Sequence, residues 1–490
     1  MSVDYGISVN QVPTSLIPPV KVDGSLPMAF GCAPIHRIAD SAERARAMPG
    51  NIVLCYTDTE AGEMLGIMSA RDDFRKWGLS EVAFSSFKLY GKAPVIFANI
   101  FDPNKHFKVK TDEVVAFSLD TAALSVGDIL NTITLKDNEN TVYVEGTDYT
   151  INKITAIITV IEDSTLAAAI TAGKTFTASY NYAAPELVTA DDIIGGYDVV
   201  TGVTSGLELV ELAFPRFRMV PGILLAPNFS HEPVVAMIMA AKCEGINAVF
   251  NCVAYADLPT DTLTKYGDVP GYKAKTGLTS KNLYLCWPKV KVGSRLMNLS
   301  THAAGATAAE DRVRSDIPYS SPSNTNIQCE AVVTDDGAEV SLSIPQANFL
   351  RGNGITTVLN FTLGNTLWGA YTAAYPGNTD SKDSFISSRR MLAWYGNRLV
   401  LTWWQKVDDP NNNRLIQTIA NSEQMNLNAL MAVGALAPGS TISARPEDNN
   451  TLSLMAGTLS FHVMLGLILP AQLIKFDLEF DPELLQNIFS

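Results

Sequence analysis

Hydrophobic residues fall along this chain in two textures. From Leu26 to about Pro103, and again after Leu187, they come in short unbroken runs: PMAFGCAP, NIVLCYT and APVIFANIF, then PGILLAP, INAVFNCVA and LYLCWPKV. Unbroken apolar runs of this length read as strands covered on both faces. Helical spacing fills the gaps. One helix is expected from Arg71 to Tyr90, where Phe74, Trp77, Val82, Phe84 and Phe87 recur among polar residues. GLELVELAF is a second, and HEPVVAMIMAAKCEG a third, with Ser230 placed to cap it and Pro233 in its first turn. Strand and helix in alternation predict a doubly covered α/β sheet.

Residues 107–187 have the other texture. TITLKD, TVYVEG, DYTINK, AIITVIE and KTFTASYNYA alternate apolar and polar positions, with Gly, Asp and Asn turns between them. An all-strand, antiparallel β domain is expected, inserted into the α/β body and projecting from it. It holds five lysines against eleven acidic residues, a net charge of −6.

The two ends differ again. At the start, Tyr5, Ile7 and Val9 alternate in a short strand pattern, followed by Pro13, Pro18 and Pro19. Prolines exclude both helix and a central strand, so residues 1–26 read either as an extended arm leaving its domain or as a frayed terminus pairing locally. The last part begins near Ser343. It has a strand in GITTVLNFT after the turn Gly352-Asn353-Gly354, then long helices over about Asp383–Lys406 and Arg414–Val433. In LIKFDLEF, Ile474, Phe476, Leu478 and Phe480 alternate with Leu473, Lys475, Asp477 and Glu479, the pattern of a half-buried strand. The fold class expected is multi-domain α/β. An arm (1–26) precedes an α/β body (27–106 and 188–342) interrupted by the β insertion (107–187). An α+β C-terminal domain (343–470) and a C-terminal arm (471–490) follow.

Length and charge narrow the function. At 490 residues, 47% hydrophobic and 18% charged, the chain suits two to four globular domains. A net charge of −14 disfavours nucleic-acid binding, which needs a concentrated basic surface. No basic region followed by an apolar core marks a secretory signal, so synthesis in the cytoplasm as a soluble protein is expected. The uncharged stretch from Asn449 to Ile474 is interrupted by polar residues, His462 and Pro470. It reads as a buried helix followed by a buried strand rather than a membrane span. None of Cys32, Cys55, Cys243, Cys252, Cys286 and Cys329 forms a C-x-x-C pair, so buried free thiols are expected, with room for late oxidation outside a cell.

Searches for catalytic patterns give little. There is no G-x-G-x-x-G and no G-x-S-x-G. Gly173-Lys174-Thr175 lacks the upstream glycine of a phosphate loop, and His231-Glu232 lacks the second histidine of a zinc-protease helix because position 235 is Val. His36, His106, His231, His302 and His462 are scattered. No catalytic residue, metal ligand or cofactor is assigned, although triads are spatial and leave an α/β enzyme with an undetected site as an alternative. Arg389, Arg390, Arg398, Lys406 and Arg414 cluster near the C-terminal helices. They read as a solvated helix face for the most part, or as contacts to an acidic partner.

The C-terminal third carries NFLRGNGITTVLNF, then Gly364-Asn365-Thr366-Leu367-Trp368-Gly369, SRRMLAWYGNRLV, QKVDDPNNNRLIQTI and a helix between Asn450-Thr451 and Gly457. With YGISVNQVPTSLIPPVKV at the start, this order resembles the contractile phage tail sheath proteins and related bacteriocin and secretion-system sheaths. The resemblance implies a structural subunit, not an enzyme. It implies stacked hexameric rings around an inner tube, and contraction that drives the tube through a cell envelope. The N- and C-terminal arms would add strands to neighbours' sheets, through Tyr5, Ile7 and Val9 at one end and Ile474, Phe476, Leu478 and Phe480 at the other. Arg414, Gln417, Arg445 and Glu447 become candidates for facing the tube. Partners would be further copies of the chain, a tail tube protein, and baseplate and terminator proteins, with no nucleic acid and no membrane insertion. The expected location is a virion tail assembled in the host cytoplasm. Another self-assembling tail component is the remaining structural alternative.

Overall fold

The computed structural model describes residues 21–362, 364–483 and 488. The expected strand at Tyr5, Ile7 and Val9 lies outside the described residues.

The apolar runs form one eight-stranded sheet. Its strands are β1 (Pro27–Gly31), β2 (Val53–Cys55), β3 (Val95–Asn99), β4 (Ile223–Leu225), β5 (Val253–Asp257), β6 (Leu283–Cys286), β7 (Ile355–Asn360) and β8 (Asn365–Trp368). The spatial order is β2-β3-β1-β4-β5-β6-β7-β8. The middle six strands run parallel, and only β2 and β8 pair antiparallel, one at each edge. Every residue of β1, β3, β4, β5 and β6 is buried, as unbroken apolar strands under helices require. The break expected at residue 343 does not fall at the sheet's edge. β7 and β8 lie beyond it in sequence and extend the same sheet, because Ile355 pairs with Leu285.

Two helix expectations are corrected. The helix placed at Arg71 starts only at Gly78 and runs on through a π-helical turn, Phe84–Leu89. Residues 71–77 instead wrap around Asp72, whose carboxylate takes Met68 N at 2.8 Å, Ser80 Oγ at 2.6 Å and Arg37 Nη1 at 2.5 Å. Ser230 does not cap the helix Pro233–Ala241, because its hydroxyl is engaged by Asp257. Pro233 does take the first helical turn.

The insertion has its own core, centred on Leu135, Tyr149, Ile158, Leu166 and Tyr180. A four-stranded and a three-stranded antiparallel sheet enclose it. It is not all strand: Thr165–Thr171 is a helix, capped by Ser164. The small residues of TLAAAIT favour helix once a cap is available. Its two ends meet where Ala184 N donates to His106 O at 3.0 Å. Asp128 fixes it to the body, accepting from Arg37 Nε at 2.9 Å and facing His36 Nε2 at 3.2 Å. Burial alone would raise the Asp128 carboxyl, but these hydrogen bonds bring it down to about 2.

The C-terminal helices form a third core. With α1 (Leu299–Val313) and α2 (Ile344–Arg351) flanking the sheet, α3 (Ile386–Trp403) and α4 (Asn413–Ala432) pack through Met391, Trp394, Tyr395, Leu427 and Leu430. The basic cluster is not a solvated face. Arg390 is buried against Asp311 of α1, Arg398 is buried against Glu423 of α4, and Arg389 is largely buried beside Asp383. Lys406 pairs with Asp409 nearer the surface. A helix that must pack on two sides can keep cations inside only if each meets a carboxylate. The stretch after Asn449 is also corrected. Its helix is the short Thr451–Met455, with Leu452 and Met455 exposed, and its strand is His462–Met464, which is only partly buried. Among the described residues, no further layer covers it.

Removing one member of the Arg390–Asp311 pair strands a buried charge, so Arg390→Ala is expected to cost about 3–5 kcal/mol. Replacing both with apolar residues, Arg390→Met with Asp311→Leu, should recover most of that loss. Urea unfolding of the three proteins checks both.

Candidate functional site: strand ends and terminal arms

An α/β sheet of this kind places ligands at the carboxyl ends of its strands, where the strand order reverses. Here that point lies between β1 and β4. A crevice of about 240 Å³ opens nearby, lined by Arg75, Asn228, His231, Asp257, Lys289 and Asn298, among others. Two buried carboxylates sit beside it. Asp257, the last residue of β5, accepts from Ser300 N at 2.9 Å, Ser300 Oγ at 2.5 Å and Ser230 Oγ at 3.2 Å. Glu81 accepts from Asn298 N at 2.7 Å, Asn298 Nδ2 at 2.9 Å and Thr301 Oγ1 at 2.7 Å.

Apart from Ser230, these donors belong to the first turn of α1 or to the residue before it. Both carboxylates therefore satisfy amide and hydroxyl groups that a helix start leaves without partners. Both serine hydroxyls donate to the Asp257 carboxylate, and among the described residues no histidine is hydrogen-bonded to either. His231 faces Glu232 at 3.8 Å, and His302 is buried inside α1, where desolvation lowers its pKa to about 3. Among the described residues, no group of three or more His, Cys, Asp or Glu is placed to hold a metal ion. The arrangement anchors a helix. The sequence gave no motif for it, because Glu81, Asp257 and Ser300 are far apart along the chain.

The termini carry a different feature. Residues 471–480 form no regular secondary structure, have no strand partner among the described residues and are exposed throughout. On the face expected to be buried, Phe476 is 83% exposed, Leu478 is 96% exposed, and Ile474 and Phe480 are likewise open. No strand forms at Leu473–Phe480, and among the described residues nothing covers that face. Gln472 is held at the segment's start by Arg351 Nη2 at 2.8 Å, and the Arg351 guanidinium lies over the Trp368 ring.

Close by in sequence, Thr441–Ser443 and His462–Met464 form a two-stranded antiparallel ribbon, continued by a bridge between Leu436 and Leu467. A two-stranded ribbon is marginal in water by itself. This one packs on α4, where Ile442 N donates to Gln424 Oε1 at 3.1 Å, and its His462–Met464 edge has no strand partner among the described residues. The N-terminal arm's root, in contrast, is firmly seated. Trp394 Nε1 donates to Val22 O at 3.0 Å, Arg390 Nη2 to Gly24 O at 3.2 Å, and Lys92 Nζ to Asp23 Oδ2 at 2.5 Å. Gly222 permits the close approach, since a Cβ there would lie 2.3 Å from Gly24 O.

Arg414 and Gln417 sit exposed on the first turns of α4. Arg445 and Glu447 lie in the turn after Thr441–Ser443. Among the described residues, no hydrogen bond or ion pair joins the two pairs. No described helix is long and apolar enough to cross a membrane.

No protein-family model matches the chain. It is 31% identical over 417 residues to the tail sheath protein of Burkholderia phage BcepMu, spanning 81% of this chain and 84% of that protein. Among solved structures it is similar to the PVC sheath complex of an extracellular contractile injection system in its contracted state. That match has a TM-score of 0.56 at 12% identity and covers 99% of each chain. The contracted helical sheath of the anti-feeding prophage matches with a TM-score of 0.55 at 12% identity, over 98% of this chain and all of that one. The mixed helix-and-strand fold is thus that of sheath proteins.

Glu81 offers a test of the helix anchor. Burial pushes its carboxyl up to about 8, against the hydrogen bonds that favour its charged form. A carboxyl that holds its proton more tightly when folded makes stability fall as pH rises from its ordinary 4.5 towards 8. Glu81→Gln should flatten that slope in urea unfolding measured across this range.

Proposed function

The chain belongs to the tail sheath protein family, and from that premise we propose that it is the structural subunit of a contractile sheath. Copies stack as six-membered rings around an inner tube. Contraction widens and turns the rings and drives the tube through a cell envelope. The observation that carries the reading is the exposed alternating segment at Ile474, Phe476, Leu478 and Phe480.

Segment and ribbon have complementary needs. The segment has a free row of backbone donors and acceptors and an apolar face. The ribbon Thr441–Ser443/His462–Met464 has only two strands, and its His462–Met464 edge has no strand partner among the described residues. Adding the segment of one copy to the ribbon of another satisfies both through main-chain hydrogen bonds. The N-terminal arm, with Tyr5, Ile7 and Val9, is the second donor strand in this reading. Prolines 13, 18 and 19 stiffen its path and limit the entropy lost on docking. The firm seating of residues 22–24 supports a strand that leaves its own fold under tension.

The energy for contraction resides in subunit interfaces rather than in a nucleotide. The curated relative is a structural sheath protein, which supports a non-enzymatic role. Tail tube, baseplate and terminator proteins are the proposed partners, and a virion tail the proposed location.

Phe476→Asp with Leu478→Asp is expected to leave a folded monomer with unchanged thermal unfolding that no longer polymerises. Sedimentation and negative-stain microscopy read this out, and normal striated tubes would contradict the strand-donor role. Deleting residues 1–12 should likewise give folded, non-polymerising monomers. For the tube-facing side we place Arg414, Gln417, Arg445 and Glu447 at the contact. Arg414→Glu with Arg445→Glu should weaken sheath–tube binding most at low salt, because exposed charges are screened within about 10 Å at 0.1 M. Co-sedimentation with tubes across a salt series measures it.

A further inference from the structure

Cys243 and Cys252 flank the small hairpin formed by Glu244–Ile246 and Phe250–Asn251. Glu244 pairs with Asn251 in antiparallel register, which sets Cys243 directly opposite Cys252. Cys252 N donates to Cys243 O at 2.9 Å, so the ladder continues through this position. Directly opposed antiparallel residues have Cα atoms about 4.5–5.5 Å apart. A disulfide spans about 4.4–6.8 Å. Both side chains leave the same face, both are buried, and both are free thiols.

The hairpin is where the sheet meets the long helix. Asn397 of α3 clasps Asn251, accepting from Asn251 N at 2.9 Å and donating to Asn251 O at 2.7 Å. Arg389 of the same helix faces Glu244 at 3.4 Å. Phe250 stacks near Phe214, and β5 begins one residue after Cys252. A bond closing this hairpin fixes the saddle on which α3 rests.

We propose that Cys243 and Cys252 are a cross-strand redox pair that closes to a disulfide in an oxidising medium and staples the hairpin beneath α3. With a low-molecular-weight disulfide such as oxidised glutathione the chemistry balances. One cysteine thiolate attacks the glutathione disulfide, forms a mixed disulfide and releases one glutathione. The second thiolate attacks the protein-bound sulfur and releases the other. Two thiols lose two protons and two electrons, and one glutathione disulfide becomes two glutathione thiols. Burial, and the hydrogen bond shared with Cys252, push the Cys243 thiol up. Cys243 is therefore unreactive in the closed hairpin, both thiols are shielded from an oxidant by burial, and the bond forms at the rate at which the hairpin opens.

The reduced full-length chain is incubated with oxidised glutathione, unfolded in denaturant after an acid quench, alkylated and mapped by peptide mass spectrometry. The expected result is one linked peptide pair, Cys243 with Cys252, with Cys32, Cys55, Cys286 and Cys329 alkylated. Amide hydrogen exchange over residues 244–251 should then slow by about tenfold or more relative to the reduced protein. In Cys252→Ser the linked pair should vanish. Full alkylation of Cys243 and Cys252 in the oxidised wild-type chain, or linkage of either to another cysteine, would overturn the pairing. Unchanged exchange in a linked protein would overturn the staple.

Discussion

Arg390 is buried inside the molecule, and three parts of the fold meet at its guanidinium. One nitrogen reaches Asp311 of α1 at 3.1 Å, and another pairs with the same carboxylate and donates to the carbonyl of Gly24 at 3.2 Å. α1 lies against the central sheet, α3 carries the arginine, and Gly24 belongs to the strand root from which the N-terminal arm leaves. A charge taken out of water is expensive unless it is paired and hydrogen-bonded. That cost is why the three parts hold one geometry: moving any of them exposes an unpaired buried charge. Arg398 and Glu423 repeat the device between α3 and α4, with Trp403 Nε1 adding a donor at 2.9 Å. The result is a rigid block with two terminal segments that begin at fixed points, at Val22–Gly24 and at Gln472.

Rigid roots and a C-terminal segment without a strand partner among the described residues suit an assembly protein. An interface made of main-chain hydrogen bonds can persist while the bodies that carry the strands pivot. A sheath subunit that changes ring diameter needs such a joint, and it needs strand roots that do not yield. The carboxylates at the strand ends fit the same logic. In an α/β enzyme the crevice between β1 and β4 would hold the reacting groups. Here Glu81 and Asp257 are spent on the start of α1, which in turn presents Asp311 to Arg390.

Much of this was legible in the sequence. Unbroken runs such as VAYAD and LYLC mark strands of the central sheet because burial on both faces leaves no polar positions. The alternation of residues 107–187 marks the insertion, whereas Ile474 to Phe480 alternate in sequence without forming a strand in this structure. What local pattern could not carry is pairing over distance. Arg390, Arg398 and Arg389 look like a solvated face until Asp311, Glu423 and Asp383 are placed beside them. Residues 71–77 have helical spacing, but Asp72 is bound by Arg37 and Ser80, and that network outweighs helix propensity. Ser230 has the chemistry of a cap and is taken by Asp257 instead. The helix at Thr165–Thr171 was hidden by its strand-rich surroundings. Between Asn449 and Ile474, apolar composition suggested burial, while the described residues provide no layer to bury it.

The central claim is that residues 473–480 of one copy form a strand on the ribbon Thr441–Ser443/His462–Met464 of another. A cryo-electron microscopy map of the polymerised full-length protein, resolved well enough to trace the backbone, tests it most directly. The account predicts continuous density crossing from Gln472 of one subunit to the ribbon edge of its neighbour, with Phe476 and Leu478 buried there. Assembled tubes in which this segment folds back onto its own chain, leaving the neighbour's ribbon edges open, would contradict it.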